Sequence, residues 1–125
     1  MYSTKQRSLI LSTLSTHGYH PTADELRAEI VRQGHEISTA TVYRNLRQLC
    51  DSGSIMRIQI PDASDRYDAV NDGHYHLICE RCGSVSDVPR EAMPDFAVCV
   101  REKCGCEVNS ASVLLYGVCA QCKRP

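Results

Sequence analysis

Two pairs of cysteines at Cys-x-x-Cys spacing constrain this chain of 125 residues more than any other feature. The first pair is Cys79 and Cys82, and the second is Cys119 and Cys122. Together they supply four thiolates, the ligand set of a closed tetrahedral zinc site. A thiol redox pair is the alternative, but that motif normally occurs once and near a βαβ pattern. We therefore predict a structural Zn²⁺ site, with the second pair returning at the end of a strand beside the first.

The composition describes a small folded chain. Hydrophobic residues make up 42% and charged residues 23%, and the net charge is -1. This balance excludes a disordered chain, and the length excludes a large multidomain enzyme. No apolar run approaches the roughly 18 residues of a membrane helix, and the N-terminus lacks the apolar core of a signal peptide. We expect a cytoplasmic protein with no membrane partner.

The first 70 residues show the pattern of a winged helix-turn-helix. Apolar residues recur at helical spacing over residues 3–16 and 22–33, with Gly18 and Gly34 as stops. A third helix is capped by Ser38 or Thr39 and ends near residues 52–53. Alternating segments at 55–60 and 66–70 then predict a hairpin, because Pro61 and Asp62 break the run between them.

The composition changes at residues 71–73, after which His and Cys concentrate. Strands are predicted at Tyr75–Cys79, Val85–Val88 and Ser112–Val118, and one helix at about Arg90–Lys103. The fold class is therefore α+β. We predict a winged-helix domain at 1–70, a hinge at 71–75 and a small zinc-stabilised α/β domain at 76–125.

A second candidate metal site begins at His74-Tyr75-His76. Two imidazoles that lie two residues apart in a strand are on the same face and can chelate one ion. Asp68, Asp87 and His20 are the nearest residues to complete the site, and such a set suits Fe(II), Mn(II) or Zn(II). The alternative interpretation is solvated surface histidines and an aspartate in a turn.

The third helix is a candidate recognition helix for the DNA major groove. Its Tyr43 is predicted to contact a base, and its Arg44 to reach guanine or a phosphate. Further contacts, to the DNA backbone or the minor groove, are predicted for Ser38, Thr41, Asn45, Lys5 and Arg7. The alternative is an ordinary solvated face, since the chain as a whole is not basic.

Four cysteines remain outside the two pairs: Cys50, Cys99, Cys104 and Cys106. We expect buried or inert thiols, the alternative being that Cys104-Gly105-Cys106 is redox-active or binds a soft metal. The sequence has no Gly-rich phosphate loop, no G-x-S-x-G and no H-E-x-x-H. No enzyme activity is therefore predicted.

Five segments, taken in order, resemble the ferric uptake regulator family of bacterial metal-dependent repressors. They are His20-Pro21-Thr22-Ala23-Asp24, Ser38-x-Ala40-Thr41-Val42-Tyr43-Arg44-Asn45-Leu46, Arg66-Tyr67-Asp68, His74-Tyr75-His76-x-x-Cys79-x-x-Cys82-Gly83 and Tyr116-Gly117-Val118-Cys119-x-x-Cys122. The resemblance implies a homodimer that pairs through its C-terminal domains, with Zn²⁺ at the four paired cysteines. It also implies repression at a double-stranded DNA operator, palindromic and AT-rich.

Aspartate at both 68 and 87 is most similar to the peroxide-responsive branch of that family. The resemblance implies a regulatory Fe²⁺ or Mn²⁺ ion held by His20, Asp68, His74, His76 and Asp87. It further implies that peroxide acts through Fe(II) to oxidise His20 or His74 to 2-oxo-histidine. The alternatives are an iron, manganese or zinc uptake regulator of the same family, a thiol redox protein using Cys104 and Cys106, and a metal buffer that does not bind DNA.

Overall fold

The computed structural model describes residues 2–15, 20–69, 73–109, 111 and 113–124, with side chains from residue 5 onward. The chain forms two compact units, Met1–Asp72 and Gly73–Pro125. The hinge predicted at 71–75 begins outside the described residues and stays a prediction. The two units are described in turn.

The first unit begins with three helices: α1 at Tyr2–Leu14, α2 at Ala23–Arg32 and α3 at Thr39–Asp51. The Oγ1 atom of Thr22 accepts the N–H of Glu25, and the Glu25 carboxylate accepts the N–H of Thr22. This capping box fixes where α2 begins. Ser38 caps α3 by accepting the N–H of Thr41 at 3.1 Å. The predicted stop of the first helix, at residues 16–18, lies outside the described residues.

The apolar stripes of the three helices meet in one core. Its most deeply buried members are at most 2% exposed: Ile10, Leu14, Leu26, Ile30, Val42, Leu46, Leu49 and Ile55. Burying each Leu, Ile or Val side chain stabilises the fold by about 1.5–3 kcal/mol. The opposite face of α3 is left to solvent, as the spacing predicts.

A two-stranded antiparallel wing follows α3. Strand β1 spans Met56–Ile58 and β2 spans Arg66–Asp68. Both are shorter than the predicted 55–60 and 66–70. Ile58 is already paired with Arg66, and the chain then turns through Pro61 and Asp62, whose φ is 59°. Val70 lies outside the described residues. The three helices and the hairpin confirm the predicted winged helix-turn-helix.

The second unit is built on a three-stranded sheet in the order β4-β3-β5. Strands β3 at Tyr75–Cys79 and β4 at Val85–Val88 are antiparallel and have the predicted bounds. Strand β5 at Leu114–Gly117 runs parallel to β3. It is shorter than the predicted segment, whose Ser112 lies outside the described residues.

The single helix predicted at Arg90–Lys103 is wrong. The chain instead makes a short 3₁₀ turn at Arg90–Ala92, and Met93 is then extended, with φ -120° and ψ 153°. The next residue is Pro94, whose ring disfavours the helical conformation in the residue before it. Helix α4 therefore begins only at Phe96 and runs to Cys104, with Asp95 as its N-cap.

A further helix was not predicted: α5 at Ala120–Lys123 is a single turn that begins within the second cysteine pair and is capped by Cys119. Within the described ranges, no helix combines the length and the apolar character needed to cross a membrane.

Candidate functional site

The four paired cysteines converge at one end of the second unit. Parallel pairing of β5 with β3 sets Gly117 opposite Cys79, so the second pair leaves its strand beside the first. All four sulfurs lie within 4.8 Å of one another, and Cys82 and Cys119 approach to 3.8 Å. The predicted return of the second pair beside the first is therefore confirmed.

Backbone N–H groups lower the pKa of two of these thiols. The backbone N–H groups of Cys119 and Cys82 donate toward the sulfur of Cys79 and lower the pKa of the Cys79 thiol to about 6. The N–H of Cys122 lies 3.5 Å from Cys119 Sγ and lowers the pKa of Cys119. The neighbouring sulfurs raise the pKa of Cys122 to about 12. Four crowded sulfurs cannot all ionise without a cation, and this donor set fits a structural Zn²⁺ ion.

Two residues that sequence reasoning missed hold the cysteine cluster together. An Nη atom of Arg81 donates to the carbonyl of Cys122 at 3.1 Å and so ties the two knuckles together. Ser84 lies 3.1 Å from the sulfur of Cys82. Arg81 lies within the first Cys-x-x-Cys pair, and Ser84 follows that pair by two residues. This closeness in sequence is the one signal that could have indicated their role.

In the first unit, His20 and Asp68 form a buried pair. His20 Nε2 lies 3.1 Å from Asp68 Oδ2. Three contacts bring the residues together: the N–H of Tyr67 donates to the carbonyl of Pro21, Arg66 donates to the carbonyl of His20 at 2.7 Å, and Arg66 pairs with Glu25. The segment before α2 is thus fastened to β2. Sequence reasoning did not assign Arg66 this positioning role.

In the second unit, His74, His76 and Asp87 form a cluster. The antiparallel register sets His76 opposite Asp87, and His74 lies two residues away on the same face. Asp87 Oδ1 is 3.3 Å from His74 Nε2 and 3.6 Å from His76 Nε2. Tyr75 alternates to the other side, where its ring packs edge-on against Phe96. The predicted placement of both imidazoles on one face of the strand is confirmed, and imidazole with carboxylate fits Fe(II) or Mn(II).

The comparisons with known proteins agree with this geometry. The sequence model of the "Ferric uptake regulator family" matches residues 1–116. The chain belongs to the ferric uptake regulator family.

Several of the similar family members carry names that refer to peroxide. The peroxide operon regulator of Bacillus subtilis is 36% identical over 121 residues, which cover 97% of this chain and 83% of that protein. The crystal structure of the Campylobacter jejuni peroxide stress regulator has a TM-score of 0.82 at 33% identity and covers 97% of this chain and 91% of that one. The crystal structure of the Vibrio cholerae ferric uptake regulator has a TM-score of 0.74 at 30% identity, and the match covers 90% of this chain and 88% of that one.

In this ferric uptake regulator family member, the polar face of α3 is available for contacts. Tyr43 is 49% exposed although it is a large aromatic residue, and Arg44 is exposed beside it. Ser38 is exposed, and Thr41 is partly buried. The two basic residues of α1 that are predicted to contact DNA are exposed as well: Lys5 and Arg7. Arg7 donates to Gln48 of α3 at 2.6 Å.

Asn45 was predicted to contact the DNA backbone, but its side chain is buried. It is 2% exposed, and its Nδ2 donates to the carbonyl of Thr41 one turn earlier in α3. Its position three residues after Val42 and one before Leu46 turns it toward the apolar core. The side chain therefore does not reach the outer face of the helix, and Asn45 leaves the set of proposed DNA contacts.

The remaining cysteines correct part of a second expectation, that of buried or inert thiols. Cys99, Cys104 and Cys106 are exposed rather than buried: the first two lie on α4, which has no buried residue, and Cys106 follows that helix. Cys50 is half-buried, and this burial raises the pKa of its thiol. Only Cys50 among the four therefore has the shielding that was expected.

Proposed function

We propose that this chain is a metal-dependent, peroxide-responsive transcriptional repressor. The observation that carries the proposal is the pairing of buried histidines with aspartate in both units, His20 with Asp68 and His74 and His76 with Asp87. The names of the similar proteins from Bacillus subtilis and Campylobacter jejuni support the peroxide signal.

The proposed regulatory site consists of five ligands acting on one Fe²⁺ or Mn²⁺ ion: His20, Asp68, His74, His76 and Asp87. Three imidazoles and two carboxylates form a donor set typical of these metals. His20 and Asp68 belong to the DNA-binding unit and the other three to the second unit, so a shared ion would couple metal binding to the angle between the units. Any ion that stabilises the DNA-binding arrangement raises DNA affinity by the same factor by which DNA raises metal affinity.

The proposed peroxide response is oxidation of a ligand. A bound Fe(II) ion would catalyse transfer of one peroxide oxygen to a ligand imidazole, which supplies the two electrons, and the other peroxide oxygen would leave as water. His20 and His74 are the proposed oxidation sites, each taking up one oxygen atom to become 2-oxo-histidine. The modified ring is a poorer ligand, so the ion is released and DNA affinity falls. Mn(II) gives up electrons to peroxide less readily, so the Mn²⁺-loaded form would repress without sensing peroxide.

The proposed DNA target is a palindromic, AT-rich operator bound by a homodimer. Two copies of α3 then enter successive major grooves, and a two-fold protein matches a palindromic site. The proposed contacts are Tyr43 and Arg44 to bases, with Ser38, Thr41, Lys5 and Arg7 to the DNA backbone or the minor groove. A chromosomal operator lies in the cytoplasm, and we propose that location and a regulatory, non-enzymatic role.

A second candidate is an iron, manganese or zinc uptake regulator of the same family. The similarity to the Vibrio cholerae ferric uptake regulator at a TM-score of 0.74 favours it. The two candidates share the metal sites and differ only in whether a ligand is oxidised.

Peptide mass spectrometry separates them. The Fe²⁺-loaded and Mn²⁺-loaded proteins are treated with peroxide, and the peptides with His20, His74 and the exposed His35 are compared. A mass gain of one oxygen on His20 or His74, with iron only and absent from His35, supports peroxide sensing. An unmodified His20 and His74 in the iron sample contradicts it and leaves the uptake regulator.

A further inference from the structure

A second group of thiols lies at the end of α4, away from the four-cysteine cluster in sequence. Cys104 is the last residue of the helix, Gly105 follows it, and Cys106 comes next. Both cysteines are free and exposed. An atom built at the Cβ position of Gly105 would meet nothing within 4 Å, so the side of the turn to which it points is open.

The turn after α4 folds Cys106 back toward the end of the helix. Gly105 has φ 71°, the left-handed conformation that ends a helix, and its N–H donates to the carbonyl of Arg101 at 2.9 Å. The Cys106 sulfur then lies 3.8 Å from the carbonyl oxygen of Cys104. The second thiol is therefore folded back against the residue that carries the first.

The electrostatics of this position favour a bound cation. The carbonyl groups in the last turn of a helix carry its partial negative charge, which attracts positive ions. Two thiolates and these carbonyls together make a small, soft, anionic site. Zn²⁺ and Fe²⁺ ordinarily require four or more ligands, whereas soft thiolates select Cu(I). Two cysteines separated by one residue suit an ion that accepts two ligands.

We propose that Cys104 and Cys106 form a two-thiolate site for a soft monovalent cation, with Cu(I) as the ion. The site uses none of the cysteines of the structural cluster, Cys79, Cys82, Cys119 and Cys122, and none of the proposed histidine ligands. This Cu(I) binding does not depend on the proposed regulatory function.

The test is an anaerobic Cu(I) titration of the full-length protein carrying its Zn²⁺, against a chromophoric Cu(I) chelator as competitor. Zinc release is followed in the same samples with a zinc indicator. The variant is Cys104→Ser with Cys106→Ser. The matched control is Cys99→Ser, which removes another exposed thiol from the same helix.

We expect wild type and Cys99→Ser to take up one Cu(I) per chain without zinc release. In the double variant, this first equivalent should bind about 100-fold more weakly, because the variant lacks the chelating pair. In wild type, the second thiolate of that pair acts at high effective concentration once the first has bound the ion. Equal affinity in the double variant, or loss of zinc with the first equivalent in wild type, would overturn the proposal. A zinc-to-protein ratio equal to wild type shows that the double variant is folded around its structural site.

Discussion

The Nε2 atom of His20 lies 3.1 Å from Oδ2 of Asp68, and the two side chains are only 4% and 6% exposed. These residues stand 48 positions apart in the sequence, and Arg66 connects their segments by donating to the His20 carbonyl while it pairs with Glu25. The start of the second helix and the second strand of the wing thus form one support for two proposed ligands.

Replacing His20 tests whether this pair binds the regulatory metal. We expect His20→Ala to weaken Mn²⁺ binding at least about 100-fold, since loss of a ligand costs more than loss of an outer partner. Isothermal titration of the zinc-loaded protein with Mn²⁺ gives the affinity. His35→Ala removes an exposed histidine of the same unit and serves as the control. Unchanged Mn²⁺ affinity in His20→Ala would remove this residue from the site.

The four-cysteine cluster should stabilise the second unit through zinc. We expect Cys122→Ser to lose its bound zinc and the folded structure of this unit, because a structural zinc ion contributes on the order of 10 kcal/mol to such small domains. Elemental analysis and circular dichroism measure the two effects. The exposed Cys99→Ser variant should keep one zinc per chain, and a Cys122→Ser protein that retains full zinc content would contradict the assignment.

The capping box at the start of α2 gives a prediction of stability. Thr22→Ala removes the side chain that accepts the Glu25 N–H, and we expect a loss of about 1 kcal/mol in the free energy of unfolding. Urea denaturation of the zinc-loaded protein measures it. The exposed Thr39, inside the first turn of α3, should tolerate Thr39→Ala within about 0.5 kcal/mol. Equal effects of the two substitutions would show that the cap contributes nothing.

Arg44 provides a test of the recognition helix. Replacing a side chain that contacts a base costs about 1–3 kcal/mol, so Arg44→Ala should lower operator affinity by roughly tenfold to 100-fold. Arg32→Ala, on the neighbouring helix α2, removes the same charge from a residue paired with Glu29 and should leave affinity nearly unchanged. Gel-shift titrations with the Mn²⁺-loaded protein compare them. Similar losses in both variants would indicate a general charge effect instead of a base contact.

Local chemistry made much of the fold predictable. The cap residues Thr22 and Ser38 mark two helix starts, because their side chains satisfy N–H groups that the helix leaves free. The bounds of β3 and β4 follow from alternation and from the cysteine pair at the end of β3. The chelating face of His74 and His76 follows from the two-residue period of a strand.

The errors arise where tertiary context or a single residue overrides periodicity. Pro94 breaks the apolar pattern after Arg90, and that pattern alone did not reveal the break. Asn45 is polar by type but occupies a position between core residues of α3, so its burial depends on the helix face and not on its chemistry. The support given by Arg66 to His20 spans 46 residues, and no local pattern encodes it.

Operator binding under different metals tests the central claim most directly. Fluorescence anisotropy of a labelled palindromic, AT-rich duplex is measured without regulatory metal, with Mn²⁺ and with Fe²⁺, and peroxide is then added anaerobically. We predict that binding requires the metal and that peroxide abolishes it in the Fe²⁺ sample only. Binding that needs metal but persists with Fe²⁺ after peroxide would contradict peroxide sensing and leave a metal-uptake regulator.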